Sequence, residues 1–338
     1  MTYKHIDKII KESIDNLLVE EFGIIYSLDK FGDYIIERFF SNIVNKCIKD
    51  PSYNDNLSIK IDMTWAKRNI PCNNWYGIDE LKYVFLKTEV INSDTQAFVD
   101  FDENNLTAAT ITINVRIGFN KKDLIYNLKT QGQEKMKQVF YAMYKQSIMH
   151  ELTHLIEAVK TKSQYKRPAY QYMGDYKNMY DASFAFSKTE INARVTTMYY
   201  AILNTTSLRE YVLAYNGERT KLCEELIKET EDWNRANEMR NYISIFDSAV
   251  NKNDKESLDF VKEFISINKE AAYNGSKNVF KLKWSKDNNG NFIEGDNSDK
   301  YIINTARKIY GQMRSMYYYY IKKLYKAADL AIDIVKNG

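Results

Sequence analysis

Two of the three histidines in this chain lie four residues apart, in the segment MHELTHLIEA at Met149–Ala158. On an α-helix, residues four apart project from the same face, so His150 and His154 can present two imidazole nitrogens to one metal ion. Glu151 directly follows the first histidine, and its carboxylate can take a proton from a water molecule at such an ion. The HExxH pattern therefore predicts a zinc site that activates water, although an ordinary histidine pair on a partly buried helix has the same spacing.

The pattern supplies two metal ligands, and a catalytic zinc ion usually has three protein ligands and an open position for water. The only other histidine, His5, lies near the N-terminus, so a carboxylate on the next predicted helix is the economical third ligand. Glu190 meets this requirement because it follows His154 by 36 residues, in the segment KTEINARV at 188–195. We expect the connecting segment to return this helix antiparallel beside the first.

HExxH followed by a downstream glutamate resembles the glutamate-type zincin metallopeptidases, in which Ala or Asn commonly lies within a turn of that glutamate. Here Asn192 and Ala193 follow Glu190. The resemblance implies that His150, His154 and Glu190 are the ligands of Zn²⁺. It also implies that Glu151 is the general base of a peptidase.

Peptide hydrolysis also requires a donor for the negative charge that develops on the attacked carbonyl oxygen, and Tyr, His and Arg commonly serve. We predict that Arg194 has this catalytic role because it lies one helical turn beyond Glu190. The thermolysin-like members of the family have Asp at this position, so the chain departs from that subgroup here. Five tyrosines between the two halves of the motif remain as alternatives: Tyr165, Tyr170, Tyr172, Tyr176 and Tyr180.

The elements that carry these residues are predicted to be long helices, because 338 residues include only 12 Gly and 3 Pro. Apolar residues at helical spacing predict one helix over Glu134–Lys160, a second over 188–203 and a third over Tyr301–Lys336. The first of these helices contains the HExxH segment. Its predicted buried residues are Val139, Met143, Ile148, Leu152 and Leu155.

Residues 58–119 are instead predicted to form strands. Within Thr107–Gly118, apolar residues at every second position predict a strand with one buried face. The zincin resemblance makes this strand the candidate edge strand on which an extended peptide substrate pairs. The expected fold is α+β, predominantly α-helical and zincin-like, with a small sheet packed over the active-site helix. The expected parts are a helical lead-in (1–52), a catalytic core (53–204) and a helical C-terminal subdomain (205–338).

Composition narrows the classes of partner. The net charge is +3 and 28% of residues are charged, which gives no support for binding nucleic acid or an anionic membrane. Three widely separated cysteines indicate neither a disulfide framework nor a thiolate zinc site. No signal peptide and no membrane-spanning segment is recognisable, so a soluble protein, cytoplasmic or virion-associated, is expected.

Three readings of function remain open from the sequence. The leading one is a zinc metallopeptidase that acts on a peptide or protein substrate. The second is a structural or interaction protein, such as a virion component, that binds partners through its C-terminal helices and has an inactive or structural metal site. The chain is rich in Asn, Lys, Ile and Tyr, a bias that is typical of AT-rich genomes, including those of many phages. The third is a toxin-like protease, since some bacterial neurotoxin light chains have a glutamate at similar spacing after HExxH.

Overall fold

A computed structural model of the chain describes residues 28–46, 58–72, 74–90, 97–101, 107–115, 126, 129–161, 185–252, 254–273, 279–280, 282 and 299–337. These residues belong to two compact units, one within 1–163 and the other within 164–338. The first combines helices with a four-stranded mixed sheet, and the described part of the second is helical. The prediction of an α+β, predominantly α-helical protein is confirmed, and the predicted division at residues 52 and 204 stays a prediction.

The sheet of the first unit contains β1 (Ser58–Asp62), β2 (Tyr83–Val90), β3 (Ala97–Phe101) and β4 (Ala108–Val115), in the spatial order β1-β2-β4-β3. β2 and β4 are parallel, whereas β1 is antiparallel to β2 and β3 is antiparallel to β4. Because β4 pairs on both sides, the prediction that Thr107–Gly118 is an edge strand is wrong. Alternating residues reveal the faces of a strand but not its neighbours, and among the described strands β1 and β3 form the edges.

Burial along the strands agrees with this order. In β1 the apolar Ile59 and Ile61 are buried and the three residues that alternate with them are exposed, as expected of a strand with one covered face. In β4, Ala109 and Ile111 are buried on one face, and Thr112 is only 2% exposed on the other. Burial on both faces is typical of an inner strand.

Among the described residues of this unit, the helices that accompany the sheet include α1 over 28–46, α2 (Met63–Asn69) and α3 (Gln133–Thr161), and a 3-10 turn lies at Ile78–Glu80. α3 contacts β3, β4 and the 3-10 turn. The helix that carries HExxH therefore packs against the sheet, as predicted.

The predicted bounds of α3 are within one residue of the observed ones. Ile148, Leu152 and Leu155 are buried as expected, but Val139 is 38% exposed and its prediction as a core residue is wrong. The buried row is set instead by Phe140 and the residues four and eight positions beyond it, which puts position 139 about 100° away around the helix. The side chain of Met143 lies outside the described residues.

α1 packs along α3 through aromatic and ionic contacts. The rings of Phe39 and Phe40 lie 5.1–5.6 Å from those of Phe140 and Tyr144. At the next residue of α3, the buried ammonium group of Lys145 lies 2.8 Å from Asp29 Oδ1 and 2.6 Å from Asp33 Oδ1. These contacts fix the part of α3 that immediately precedes the HExxH segment.

The second unit is organised around its last helix. The helices in its described part are α4 (Lys188–Asn204), α5 (Thr206–Ala214), α6 (Arg219–Lys228), α7 (Glu231–Asn251), α8 (Lys255–Tyr273) and α9 (Asp299–Asn337). α9 contacts each of the other five. Its fully buried residues recur at helical spacing and form one continuous stripe: Ala306, Ile309, Met313, Tyr320, Leu324, Ala327, Ala328, Ala331 and Ile332.

The predicted bounds of α4 and α9 differ from the observed ones by no more than two residues. The tyrosine run of α9 serves two environments, since Tyr320 is 1% exposed and Tyr318 is 60% exposed. In the described part of the chain, no helix combines the length and the apolar character that crossing a bilayer requires. Residues 1–27 of the predicted helical lead-in and the five tyrosines between the two halves of the motif lie outside the described residues.

Candidate metal centre

The HExxH segment lies in the second half of α3. Gln133–Thr161 contains no Gly or Pro, so the helix continues through the segment without a break. Glu151 and His154 are buried, and His150 is half-buried. The three polar side chains are thus largely removed from bulk water. Charge interactions, including those with a metal ion, are stronger in this environment than in water.

The two imidazoles lie side by side. The Nε2 atoms of His150 and His154 are 3.1 Å apart, and the ring centroids are 4.7 Å apart with planes inclined at 74°. Two nitrogens bound to one tetrahedral zinc ion, each at about 2.0–2.1 Å, lie about 3.3 Å apart. The observed separation is therefore close to the separation that a shared ion requires.

Glu190 lies in the first turn of α4 and is 5% exposed. The helix begins after Ser187, whose carbonyl oxygen accepts a hydrogen bond from Ile191 N. The exposed amide groups of a helix N-terminus favour a negative charge. Its place in the helix therefore favours the ionised form of Glu190, the form that can bind a metal.

The structure brings the three predicted ligands together. His150, His154 and Glu190 each offer one ligand atom, and these atoms all lie within 4.8 Å of one another. The group consists of two imidazole nitrogens and one carboxylate oxygen, which are ligands for divalent transition metals. It could hold a metal ion. Glu151, the predicted base, is buried beside the first ligand, and its catalytic role stays a prediction.

Arg194 contacts the ligand glutamate directly. Its Nε donates a hydrogen bond of 2.9 Å to Glu190 Oε1 one helical turn away. Burial disfavours the charge on Arg194, but the negative carboxylates of Glu190 and Asp232 outweigh it, so the pKa of the guanidinium lies above its usual value. This contact suits a residue that orients the carboxylate, and the predicted role of Arg194 as an oxyanion donor stays a prediction.

A second carboxylate, Asp232, lies near the same guanidinium. Asp232 is 3% exposed at the start of α7, and Tyr320 of α9 donates a hydrogen bond of 2.6 Å to its Oδ1. Burial raises the pKa of Asp232 to about 6, while the Tyr320 hydrogen bond and the positive charge of Arg194 act to lower it. Asp232 is therefore mostly ionised at neutral pH.

A further polar cluster fixes α4 against α9. Asn192 Oδ1 accepts hydrogen bonds from Lys323 Nζ at 2.7 Å and from Tyr319 OH at 2.9 Å. Lys323 is 2% exposed, and its ammonium group also lies 4.9 Å from the centre of the Tyr319 ring. These bonds hold the first turn of α4, and with it the backbone of Glu190.

The sequence singled out Asn192 and Arg194 but missed Asp232, Tyr320 and Lys323. Asp232 follows Glu190 by 42 residues, and Tyr320 is 130 residues away from it. No local spacing connects residues on three different helices. Asp232 lies in the first turn of its helix, a position where Asp is common without any functional role.

Comparison with protein-family models, with curated proteins and with solved structures found no match for this chain.

Proposed function

We propose that the chain is a zinc-dependent metallopeptidase of the glutamate-zincin type. The observation that carries this proposal is the convergence of His150, His154 and Glu190, whose ligand atoms lie within 4.8 Å of one another. Two imidazoles and one carboxylate suit zinc, and three protein ligands leave one coordination position for water, as in catalytic zinc sites. An HExxH helix packed against a small mixed sheet is consistent with the zincin resemblance.

When bound, zinc would activate a water molecule and polarise the carbonyl group of the scissile peptide bond. Glu151 is adjacent in sequence to His150, and we assign its carboxylate as the base that takes the proton from this water. The same carboxylate could then deliver the proton to the departing amine. Burial of Glu151 and His154 limits access of bulk water to these groups.

The proposed substrate is an extended peptide or protein segment. β3 contacts α3 and lies at an edge of the described sheet. An extended peptide can add to such an edge through backbone hydrogen bonds, while side-chain pockets provide specificity. We therefore propose β3, in place of β4, as the strand along which the substrate lies.

The experiment compares purified wild-type protein with the variants His154→Ala, Glu190→Ala and Glu151→Gln. We expect one zinc per wild-type chain, strongly weakened binding in both ligand variants and retained zinc in Glu151→Gln. We also expect the wild type to cleave a mixture of unfolded proteins, and Glu151→Gln to have lost that activity.

Each part of the proposal has an outcome that contradicts it. Cleavage by Glu151→Gln at the wild-type rate would exclude the assigned base. Zinc binding without any cleavage would favour an interaction protein with a structural metal site. No zinc in the wild type, even after zinc is supplied, would contradict the proposed function as a whole.

A further inference from the structure

The second unit contains a line of charged and polar side chains that begins at the proposed ligand Glu190 and is buried except at Arg194, whose side chain is 30% exposed. Arg194 Nε donates to Glu190 at 2.9 Å, and Tyr320 OH donates to Asp232 at 2.6 Å. Arg194 interacts electrostatically with both carboxylates. Glu190, Asp232 and Tyr320 are each 5% exposed or less.

Burial makes the balance of these charges important. A buried ion without a compensating charge is strongly unfavourable. The guanidinium of Arg194 therefore compensates the charges of both carboxylates, Glu190 and Asp232. Glu190 and Asp232 each carry one negative charge and Arg194 one positive charge, so the set is left with a single net negative charge. A single net negative charge attracts a divalent cation, whereas an isolated Glu190–Arg194 pair would be neutral.

Asp232 is itself firmly held. It lies in the first turn of α7, where the helix N-terminus favours a negative charge. The Tyr320 hydrogen bond is short, as is usual when a hydroxyl donates to a carboxylate. Burial and the neighbouring Asp232 charge both raise the pKa of Tyr320 well above its usual value, so the hydroxyl keeps its proton and remains a donor.

We infer that Asp232, held by the Tyr320 hydrogen bond, is a positioning residue. It attracts the guanidinium of Arg194 and in this way orients Glu190 as a metal ligand. Its charge also preserves the negative charge of the site. The inference rests on the proposed zinc site. It assigns Arg194 to orienting a ligand, which differs from the oxyanion role expected from the sequence. Residues that hydrogen-bond a metal ligand, as Arg194 does, typically change metal affinity by about 10- to 100-fold when altered, and we expect Asp232, which acts through Arg194, to lie at the lower end of this range.

The test measures zinc affinity by competition with a chromophoric chelator. We expect Asp232→Asn to bind zinc about 10-fold more weakly than the wild type. Asn at this position keeps the shape and can still accept the Tyr320 hydrogen bond, so the variant mainly removes the charge. Tyr320→Phe is a second variant that keeps the ring and the Asp232 carboxyl group but removes the hydrogen bond that favours its ionised form, and we expect a loss of several-fold.

The chain offers two matched controls. Glu231→Gln removes the same charge from the neighbouring residue, whose carboxylate lies 4.0 Å from Arg194 but is 93% exposed. Asp247→Asn alters another tyrosine–aspartate pair of the same two helices, in which Tyr310 donates to Asp247 at 2.7 Å. We expect both controls to bind zinc within about twofold of the wild type. Solvent screens the first charge, and Asp247 lies 15 residues beyond Asp232 on the same helix, about 22 Å along its axis.

A double variant separates positioning from a general effect on folding. If Asp232 acts through Arg194, most of the loss caused by Asp232→Asn should disappear in an Arg194→Gln background. An equal loss in both backgrounds, or wild-type affinity in Asp232→Asn and Tyr320→Phe, would overturn the inference while leaving the zinc site intact. A wild-type chain that binds no zinc would overturn the proposed function and this inference together.

Discussion

The Nε2 atoms of His150 and His154, one turn apart on the same helix, lie 3.1 Å from each other. Two neutral imidazole nitrogens can approach this closely when they share a proton or a cation, because their lone pairs otherwise repel each other. A divalent ion bound by both would satisfy the two nitrogens at once. The folded chain should therefore gain stability from an ion that the unfolded chain cannot bind in this way.

We expect zinc to raise the free energy of unfolding. At a zinc concentration 100 times the dissociation constant, the gain should be about 2.7 kcal/mol. Chemical denaturation with zinc or with a chelator measures it directly. His150→Ala should unfold at the same denaturant concentration with and without zinc, and a zinc-dependent shift of wild-type size in this variant would place the ion elsewhere.

The ion pair between α1 and α3 predicts a difference between two lysines of α3. The side chain of Lys145 is 4% exposed and has two carboxylate partners, whereas Lys137 is 28% exposed and is paired with Glu37, which is 54% exposed. Lys145→Met should lower the free energy of unfolding by about 2–4 kcal/mol, because Asp29 and Asp33 lose their buried counter-charge. Lys137→Met should lower it by less than about 1 kcal/mol.

Urea denaturation of the two variants measures both effects. The two substitutions remove the same group from the same helix, so helix propensity cancels in the comparison. The larger loss for Lys145→Met is expected because Lys145 is buried, since both lysines form ion pairs. Equal losses of stability in the two variants would contradict this explanation.

Helical periodicity explains why so much of the helical structure was predictable from the sequence. In α3, α4 and α9 the apolar spacing and the scarcity of Gly and Pro determine local structure, and the observed bounds follow them. The HExxH histidines were predictable for the same reason, since four residues on a helix fix their relative position. Glu190 required a further argument from the number of ligands that zinc takes.

The rest depends on contacts between residues that are distant in the sequence. β4 has a clear period of two, but its place between β2 and β3 is determined by pairing across the sheet. Val139 satisfied a helical pattern and still lies at the surface, because a neighbouring row of residues faces the core. Asp232 and Tyr320 meet only after α7 and α9 have packed together, so no local pattern could indicate them.

Two glycines in helices predict opposite effects of the same substitution. Gly32 of α1 is buried, and a Cβ atom there would lie 2.5 Å from the sulfur of Met149. Gly311 of α9 is exposed, and a Cβ atom there would meet no atom within 4 Å. Gly32→Ala should therefore lower the free energy of unfolding by about 1–2 kcal/mol through overpacking.

Gly311→Ala should raise the free energy of unfolding by up to about 1 kcal/mol, since alanine has the higher helix propensity. Thermal unfolding of the two variants beside the wild type tests the pair. Stabilisation by both substitutions would show that α1 and α3 can separate at Gly32 without loss of other contacts.

The two tyrosine–aspartate pairs of α7 and α9 predict opposite pH dependence of stability. Burial raises the pKa of Asp232 to about 6 from an ordinary value of 3.8, despite the opposing effects of Tyr320 and Arg194. The folded chain therefore keeps a proton at Asp232 at pH values where the unfolded chain has lost it. The contribution of Asp232 to stability is greatest below about pH 4, falls as the pH rises through 6 and is level above that.

Asp247 should behave in the reverse way. Hydrogen bonds from Tyr310 and Asn251 lower the pKa of Asp247, so its contribution to stability is present above its ordinary pKa and is lost as the pH falls. We expect the difference in free energy of unfolding between the wild type and Asp232→Asn to decrease from pH 4 to pH 7. The corresponding difference for Asp247→Asn should increase from low pH up to about pH 5. Urea denaturation at successive pH values measures both slopes, and slopes of the same sign would contradict the contrast between the buried and the solvated carboxylate.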